Sequence, residues 1–335
     1  MRAAHIFGVR DVRVQDDPIP DLAAGEVLIQ VKSVGVCGSD LHWFEEAGIG
    51  DAVLEKSLVP GHEFAGVVAS GDLQGKRVAL DPSIPCGRCE FCREGNPNFC
   101  QQGRFAGFGP THGAMREYVA WPRDNLYVLP ESMTFADGAM LEPLGTAMHA
   151  IDLAHLRIGS DVGVFGCGPI GLLAVQLLRS MGAVRIFATD KLPHRLEAAR
   201  AWGATEVFLA DGGKEADQIL TATGGRGLDA ALEISNRGAA VEAAIHAAKP
   251  GAAVVIVGIP DDDRTSFRAS TARRKGLTLR MSRRMKHTYP RSISLVVNER
   301  VDVRSVVTHS FPLEDAAQAF TVAARRDGLK VVIEP

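Results

Sequence analysis

Aromatic side chains are scarce in this 335-residue sequence, with 3 Trp and 3 Tyr against 35 Gly. Charge of one sign is also missing. Lys plus Arg number 37 and Asp plus Glu 40, a net charge of −3, so no global field exists to attract nucleic acid or an anionic membrane. No apolar run is long enough to span a bilayer. The longest uncharged stretch, residues 162–178, is 17 residues long and is interrupted by Gly166, Gly168, Pro169 and Gly171, where a span needs about 20. It reads as a buried strand, a turn and a helix. Residues 1–14 place Arg2, His5, Arg10 and Arg13 among apolar residues and lack the apolar core of a signal peptide, which predicts a cytoplasmic chain. Six cysteines are too few for a disulfide scaffold of this length. In a reducing compartment they point to metal binding or catalysis, and four of the six lie between Cys86 and Cys100.

What is present divides the chain in two. The first 140 or so residues carry short β-like runs at 27–31, 66–69, 77–80 and 118–120, broken by turn clusters such as Asp16-Asp17-Pro18 and Asp81-Pro82. That pattern predicts a mainly β domain with long functional loops. After Glu142-Pro143 strands alternate with helices, the signature of a parallel sheet covered on both faces. Strands are predicted at 162–165, 185–189, 206–210, 228–234 and 252–257, with a sixth at 277–281. Helices are predicted from Ile170 to Met181, from Pro193 to Gly203 and from Gly238 to Lys249. Six strands in this rhythm match a dinucleotide-binding sheet, so the fold class is α/β. Residues 264–304 hold 12 basic side chains against Glu299 and Asp302. Without interleaved aromatics they read as a solvated face or a subunit contact, and no nucleic-acid partner is expected.

Gly166-Cys167-Gly168-Pro169-Ile170-Gly171 is a G-x-G-x-x-G string directly after an apolar strand and before an amphipathic helix. Gly166 permits the tight turn, Gly168 lets backbone approach a pyrophosphate, and Gly171 lets helix and strand pack closely. Pro169 and Ile170 open the helix whose N–H groups face the anion. Asp190 closes the next strand, where a carboxylate accepts hydrogen bonds from the adenosine ribose and repels a 2′-phosphate. NAD is therefore expected over NADP, and Arg195, close behind in sequence, joins the cofactor-binding residues.

Cys86, Cys89, Cys92 and Cys100 form a C-x2-C-x2-C-x7-C lobe. Four thiolates from one loop close a tetrahedral site with no open position, which favours structural zinc. An iron–sulfur cluster also uses four thiolates, but the ferredoxin run has a shorter final gap followed by Pro. A third constellation joins Cys37-Gly38-Ser39-Asp40-Leu41-His42 to Gly61-His62-Glu63. Cys, His and Glu together can hold zinc with a position open for substrate.

On these motifs, with Leu141-Glu142-Pro143-Leu144 and Val307-Thr308-His309-Ser310-Phe311-Pro312-Leu313, nearly the whole chain resembles the zinc-dependent medium-chain dehydrogenases. Within them it most resembles the polyol (sorbitol or L-iditol) dehydrogenases. The resemblance implies a GroES-like, mainly β catalytic domain at 1–143 and 286–335 and a Rossmann NAD-binding domain at 144–285, with the active-site cleft between them. It implies Cys37, His62 and Glu63 as ligands of a catalytic zinc. Glu142 stands where other zinc alcohol dehydrogenases place a second cysteine, and whether it binds zinc or only its water is left open. Ser39 matches the hydroxyl that takes the substrate proton, and His42 the histidine that relays it. Trp43, Glu142 and Arg284 are the expected substrate-binding residues. The segment Ile234-Ser235-Asn236 departs from the family's usual polar-Thr/Ser-Gly.

The implied activity is oxidation of a secondary hydroxyl of a polyol to a ketone, with hydride transfer to NAD and two zinc ions per chain. An L-threonine or other substituted-alcohol dehydrogenase, and a non-catalytic NAD(H)-binding protein, are the alternatives. Only a small-molecule substrate is expected as partner, apart from a second copy of the chain, since the family is commonly dimeric or tetrameric. No membrane partner is expected.

Overall fold

The computed structural model describes residues 1–335. Its chain divides into two compact units. One comprises Met1–Glu142, Tyr289–Asn298 and Val303–Pro335; the other comprises Pro143–Thr288 and Glu299–Asp302. The sequence boundaries of 143 and 286 differ from these by a few residues and miss the short return at 299–302. That return belongs to the second unit because Gln176 and Asp302 exchange hydrogen bonds, Nε2 to the carbonyl at 2.9 Å and N–H to Oε1 at 2.7 Å.

The first unit is built on a seven-stranded sheet. Along its main path the strands run Leu126–Val128, Arg77–Leu80, Glu63–Val68, Glu26–Gly35, Lys330–Glu334 and Val307–Pro312, and Tyr118–Pro122 also pairs with Glu26–Gly35. The Glu26–Gly35 strand alternates, turning Val27, Ile29 and Val31 into the core between half-buried Leu28, Gln30 and Lys32. Its register against Glu63–Val68 pairs Gly35 with Glu63 and Val34 with Phe64. That register matters for chemistry, because it sets the residue before Glu63 beside the turn that follows Gly35. The last two strands come from residues 307–334, so this sheet joins segments far apart in the chain.

The second unit is a six-stranded parallel sheet ordered Glu206–Leu209, Arg185–Asp190, Asp161–Phe165, Leu228–Glu233, Ala248–Ile256 and Thr278–Met281. Chain order reverses between Asp161–Phe165 and Leu228–Glu233, the crevice where a doubly wound sheet binds its ligand. Every residue of the central Asp161–Phe165 strand is buried, as a strand covered on both faces requires.

Several boundaries differ from the sequence reading, and around residue 248 the shift has a visible cause. The helix from Gly238 stops at Ala247, and the following strand starts at Ala248 rather than at 252, because Ala248 already has extended backbone. The helices Lys214–Ala222, Ala269–Lys275, Tyr289–Val297 and Ala316–Arg325 were not marked by that reading. Several cations of the basic 264–304 stretch serve the fold. Lys275 Nζ donates to the carbonyls of His246 at 2.5 Å and Ala248 at 2.8 Å, closing the end of the Gly238–Ala247 helix, while Arg280 donates to the Leu153 carbonyl. No helix is long and apolar enough to cross a membrane.

Candidate active site

The four-cysteine lobe comes from one loop that follows the Ser83–Ile84 strand. A four-residue helix, Glu90–Arg93, and a turn of 3₁₀ helix, Pro97–Phe99, fold it back on itself. All four Sγ atoms lie within 4.8 Å of one another. Backbone N–H groups point at the sulfurs: Cys86 N–H donates to Cys100 Sγ at 3.3 Å, and Cys89 N–H to Cys86 Sγ at 3.4 Å. Donors from Arg88 and Cys89 pull the Cys86 thiol down to about 6. Burial pushes the Cys92 thiol the other way, up to about 12; a loop that draws four sulfurs together and turns its own amides toward two of them fits a tetrahedral cation.

The second cluster gathers Cys37, His62 and Glu63, whose donor atoms also lie within 4.8 Å of one another. Cys37 is the N-cap of helix Gly38–Glu46, Glu63 begins the strand Glu63–Val68, and His62 immediately precedes it. Contact between them requires glycine at 35. A Cβ there would lie 1.9 Å from Glu63 Oε2. The carboxylate of Glu63 is buried and pairs with the equally buried ammonium of Lys330, from the last strand.

Asp40 ties the two ligand segments together. Its Oδ2 accepts the Cys37 N–H at 2.9 Å, its Oδ1 accepts the Gly61 N–H at 3.1 Å, and His62 Nδ1 lies 3.6 Å from Oδ1. With Nδ1 turned to a carboxylate, Nε2 is the nitrogen left for a metal. Burial disfavours charge on both residues, yet the attraction between them wins: Asp40 is held below the usual carboxylate range, and Asp40 with Cys37 holds His62 well above its ordinary value. Zinc binding here would therefore release the His62 proton.

Ser39 Oγ lies 3.5 Å from His62 Nε2, so its hydroxyl adjoins the ligand nitrogen. His42 follows on the same short helix, with Nδ1 3.4 Å from Glu46 Oε2. Glu142 is buried at the start of helix Leu141–Ala154. Burial pushes its carboxyl up to about 7, with His62 lowering it and Glu63 raising it, which places it in the electrostatic reach of the ligand cluster. Trp43 is only 2% exposed and packs into the first unit's core with its ring tilted against Phe108 at 5.9 Å. Arg284 sits in the second unit with left-handed backbone, φ 54°.

The dinucleotide turn follows the Asp161–Phe165 strand. Gly166 has φ +107°, and Gly171 passes so close that a Cβ would lie 1.9 Å from the Gly166 carbonyl. Gly168 is the N-cap and Pro169 the first residue of helix Pro169–Ser180, with Ile170 next. Both oxygens of Asp190 are engaged: Oδ2 accepts the Cys167 N–H at 2.7 Å and Oδ1 the Leu192 N–H at 2.9 Å, which fixes the carboxylate beside the turn. Arg195 Nη1 lies 3.8 Å from where a Cβ on Gly168 would stand. Such a glycine cradle with N–H groups at a helix start fits a pyrophosphate, and the fixed carboxylate fits a ribose.

Two helpers, Asp40 and Lys330, escaped the sequence reading. Asp40 had a readable signal, a carboxylate within a metal-site string; Lys330, 267 residues from its partner, had none.

Comparison with known proteins gives the family. The family described as Zinc-binding dehydrogenase matches residues 169–298, and that described as Alcohol dehydrogenase GroES-like domain matches 23–131. The sorbitol dehydrogenase of Bacillus subtilis (strain 168) is 34% identical, covering 100% of this chain and 97% of that protein. This chain belongs to the zinc-binding dehydrogenase family. A probable D-xylulose reductase A of Arthroderma otae is 38% identical over 97% of this chain and 95% of its own length. The solved structure of L-idonate 5-dehydrogenase from Escherichia coli superposes with a TM-score of 0.91 at 27% identity, covering 100% of this chain and 98% of that one. The fold is that of these medium-chain dehydrogenases, a Rossmann sheet with a GroES-like unit, and the chain is a zinc-dependent, nicotinamide-dependent oxidoreductase of the polyol-dehydrogenase kind.

Proposed function

We propose that the enzyme oxidises a secondary hydroxyl of a sugar alcohol to a ketone while NAD becomes NADH and one proton is released. The observation that carries this reading is the Cys37, His62 and Glu63 cluster with the Ser39 hydroxyl 3.5 Å from His62 Nε2. Cys37, His62 and Glu63 would hold one zinc ion, which when bound supplies Lewis acidity toward a hydroxyl oxygen. Glu142 stands as a fourth ligand or as the acceptor beside the open position. Ser39 Oγ takes the substrate proton, and His42 carries it toward solvent, where Glu46 orients the ring. Trp43, Glu142 and Arg284 are the groups we assign to the substrate hydroxyls.

Cys86, Cys89, Cys92 and Cys100 would hold a second zinc that stabilises the lobe. Gly166, Gly168, Pro169, Ile170 and Gly171 receive the pyrophosphate, Asp190 selects NAD over NADP at the adenosine ribose, and Arg195, also at the cofactor, softens that preference. We assign the first unit, residues 1–143 and 286–335 in outline, to catalysis, and the second to NAD. We expect a cytoplasmic setting and a homodimer or homotetramer.

NAD reduction followed spectrophotometrically over a panel of sugar alcohols, with L-threonine and NADP alongside, tests this directly. Turnover confined to L-threonine would replace the polyol assignment, and nucleotide binding without turnover on any alcohol would make the chain a non-catalytic binder. Metal analysis should approach two zinc ions per chain; iron with a brown chromophore would reject the zinc lobe.

A further inference from the structure

The segment leading into His62 is Val59-Pro60-Gly61, and every backbone hydrogen-bonding group in it has a partner. Its three carbonyls accept from a single loop: Val59 from the Gly113 N–H at 2.6 Å, Pro60 from the Met115 N–H at 3.1 Å and Gly61 from the Ala114 N–H at 2.9 Å. Pro60 has no N–H, which leaves two donors. One is Gly61, held by Asp40 Oδ1 at 3.1 Å. The other is Val59, whose N–H donates to Nδ1 of His112 at 3.0 Å. All three residues are buried, so water does not replace either acceptor. The loop lies so tightly on the segment that a Cβ on Gly113 would stand 2.3 Å from the Gly61 carbonyl oxygen and 2.4 Å from that of Pro60.

A backbone N–H can only donate, so Nδ1 of His112 carries no proton and the neutral ring keeps its proton on Nε2. Protonation makes both ring nitrogens donors and leaves the Val59 N–H facing another N–H. The surroundings of the half-buried ring keep it neutral. Burial, then Arg116 and His5, hold His112 below its ordinary value against the opposite pull of Asp17. His5, from the Arg2–Gly8 strand, meets the His112 ring edge-on at 5.7 Å and binds Asp17 Oδ2 through Nε2 at 2.8 Å. Arg116 follows on the loop of His112 itself, and burial pushes its guanidinium down to about 10. The stretch to which the ring bonds, Leu58-Val59-Pro60, carries no charge.

We propose that His112 is a positioning residue for the catalytic metal: as a neutral acceptor it fixes the segment 59–61 and with it the placing of His62, and its protonation releases that hold. The proposal rests on the zinc reading above. Two measurements on the full-length, zinc-saturated protein test it: hydrogen exchange at the Val59 amide, resolved by fragmentation mass spectrometry and expressed as a protection factor from about pH 5 to about pH 8, and chelator competition for zinc at about pH 7.5. Protection in the wild type should be full above the ordinary histidine pKa of about 6.5 and fall about threefold to tenfold below it, the worth of one hydrogen bond. His112→Asn offers an amide oxygen near the place of Nδ1 that does not titrate, so it should lack that fall and hold its zinc as the wild type does. His112→Leu has no acceptor. Its protection should be low at every pH, and the zinc at Cys37, His62 and Glu63 should leave at a chelator activity about threefold to tenfold lower, with the four-cysteine zinc unmoved. No acid fall in the wild type, or an equal one in His112→Asn, overturns the proposal. So does a His112→Leu that loses Val59 protection yet keeps its zinc as the wild type does, since His112 would then only stabilise the loop. Should His112→Leu not fold, an acid fall confined to the wild type upholds the proposal and one shared with His112→Asn overturns it. A wild type that binds no zinc at Cys37, His62 and Glu63 would instead refute the zinc reading, and the exchange comparison would still decide whether His112 fixes the segment.

Discussion

Replacing Asp40 by Ala should detach zinc from the Cys37, His62 and Glu63 cluster while leaving the four-cysteine zinc in place. Asp40 is 1% exposed and makes three connections: the N–H of Cys37 at 2.9 Å, the N–H of Gly61 at 3.1 Å and His62 Nδ1 at 3.6 Å. Alanine leaves two buried N–H groups without an acceptor, at about 1–3 kcal/mol each, so the turn and the strand start lose about 2–6 kcal/mol of mutual fixation. Some of that returns as the two segments relax toward water. The fraction felt by the metal is set by the loss of the carboxylate behind His62, for which a 10- to 100-fold drop in affinity is typical, or about 1.4–2.8 kcal/mol. Asp40→Asn keeps an oxygen acceptor but loses the charge, and should fall between wild type and Ala. The assay is chelator competition with zinc counted at each step. One zinc per chain should leave Asp40→Ala at a chelator activity about 10- to 100-fold lower than in the wild type, while the second leaves at an unchanged activity and serves as the internal control. If both ions leave as in the wild type, Asp40 is only a helix cap and the argument from His62 is wrong.

Glu142→Gln keeps shape and removes a charge, so fold and NADH binding should persist while turnover falls; unchanged turnover and unchanged chelator sensitivity would remove Glu142 from the metal's surroundings. Asp190→Ser should weaken NAD and improve relative use of NADP, read as the ratio of the two kcat/KM values, because both a ribose acceptor and the repulsion of a 2′-phosphate are lost. Cys100→Ser should lower stability and zinc content together; loss of turnover with folding and metal intact would refute a structural lobe. Asp229 gives a pH test. Against the cost of burial, Arg226 at 2.6 Å, Lys249 and the Asp161 N–H at 2.8 Å hold its carboxyl well below the usual range. A depressed folded value means that its contribution is fully present above the unfolded pKa of about 3.9 and is lost as pH falls toward the folded one. Asp229→Asn should therefore destabilise by about 1–3 kcal/mol at neutral pH, with the gap to wild type closing in acid melts; a gap that widens in acid would reverse the sign.

The dinucleotide half was legible because its signals are local. An apolar strand, three glycines at fixed spacing and an acid at the next strand end sit within 30 residues, and each has a steric or electrostatic reason that does not depend on the rest of the chain. The cysteine lobe was legible for the same reason. Helices such as Lys214–Ala222 and Ala316–Arg325 went unmarked although both are amphipathic. The first is framed by Gly212, Gly213, Gly224 and Gly225, which read as loop. Alanine dominates the second, so its apolar stripe is shallow and is decided by packing onto the Lys330–Glu334 strand.

The charges behind the metal cluster were hidden for a different reason. Cys37, His62 and Glu63 announce themselves by residue type, but burying the Glu63 carboxylate beside Asp40 is costly without a compensating charge. Part of that compensation is Lys330, which only the closing strand delivers, and whose ammonium burial would neutralise if Glu63 and Cys37 did not hold it charged. A lysine opening the run Lys330-Val331-Val332-Ile333 looks like an ordinary strand end, since nothing local requires it to be buried. The glycine at 35 is its counterpart: nothing local marks it, and only the register against Glu63 shows that a methyl group would occupy the space of the carboxylate. The candidate ligands are thus named by the local sequence, whereas the electrostatic balance that lets those side chains be buried together is written in strand pairing between residues about 270 positions apart, as Glu63 and Lys330 are.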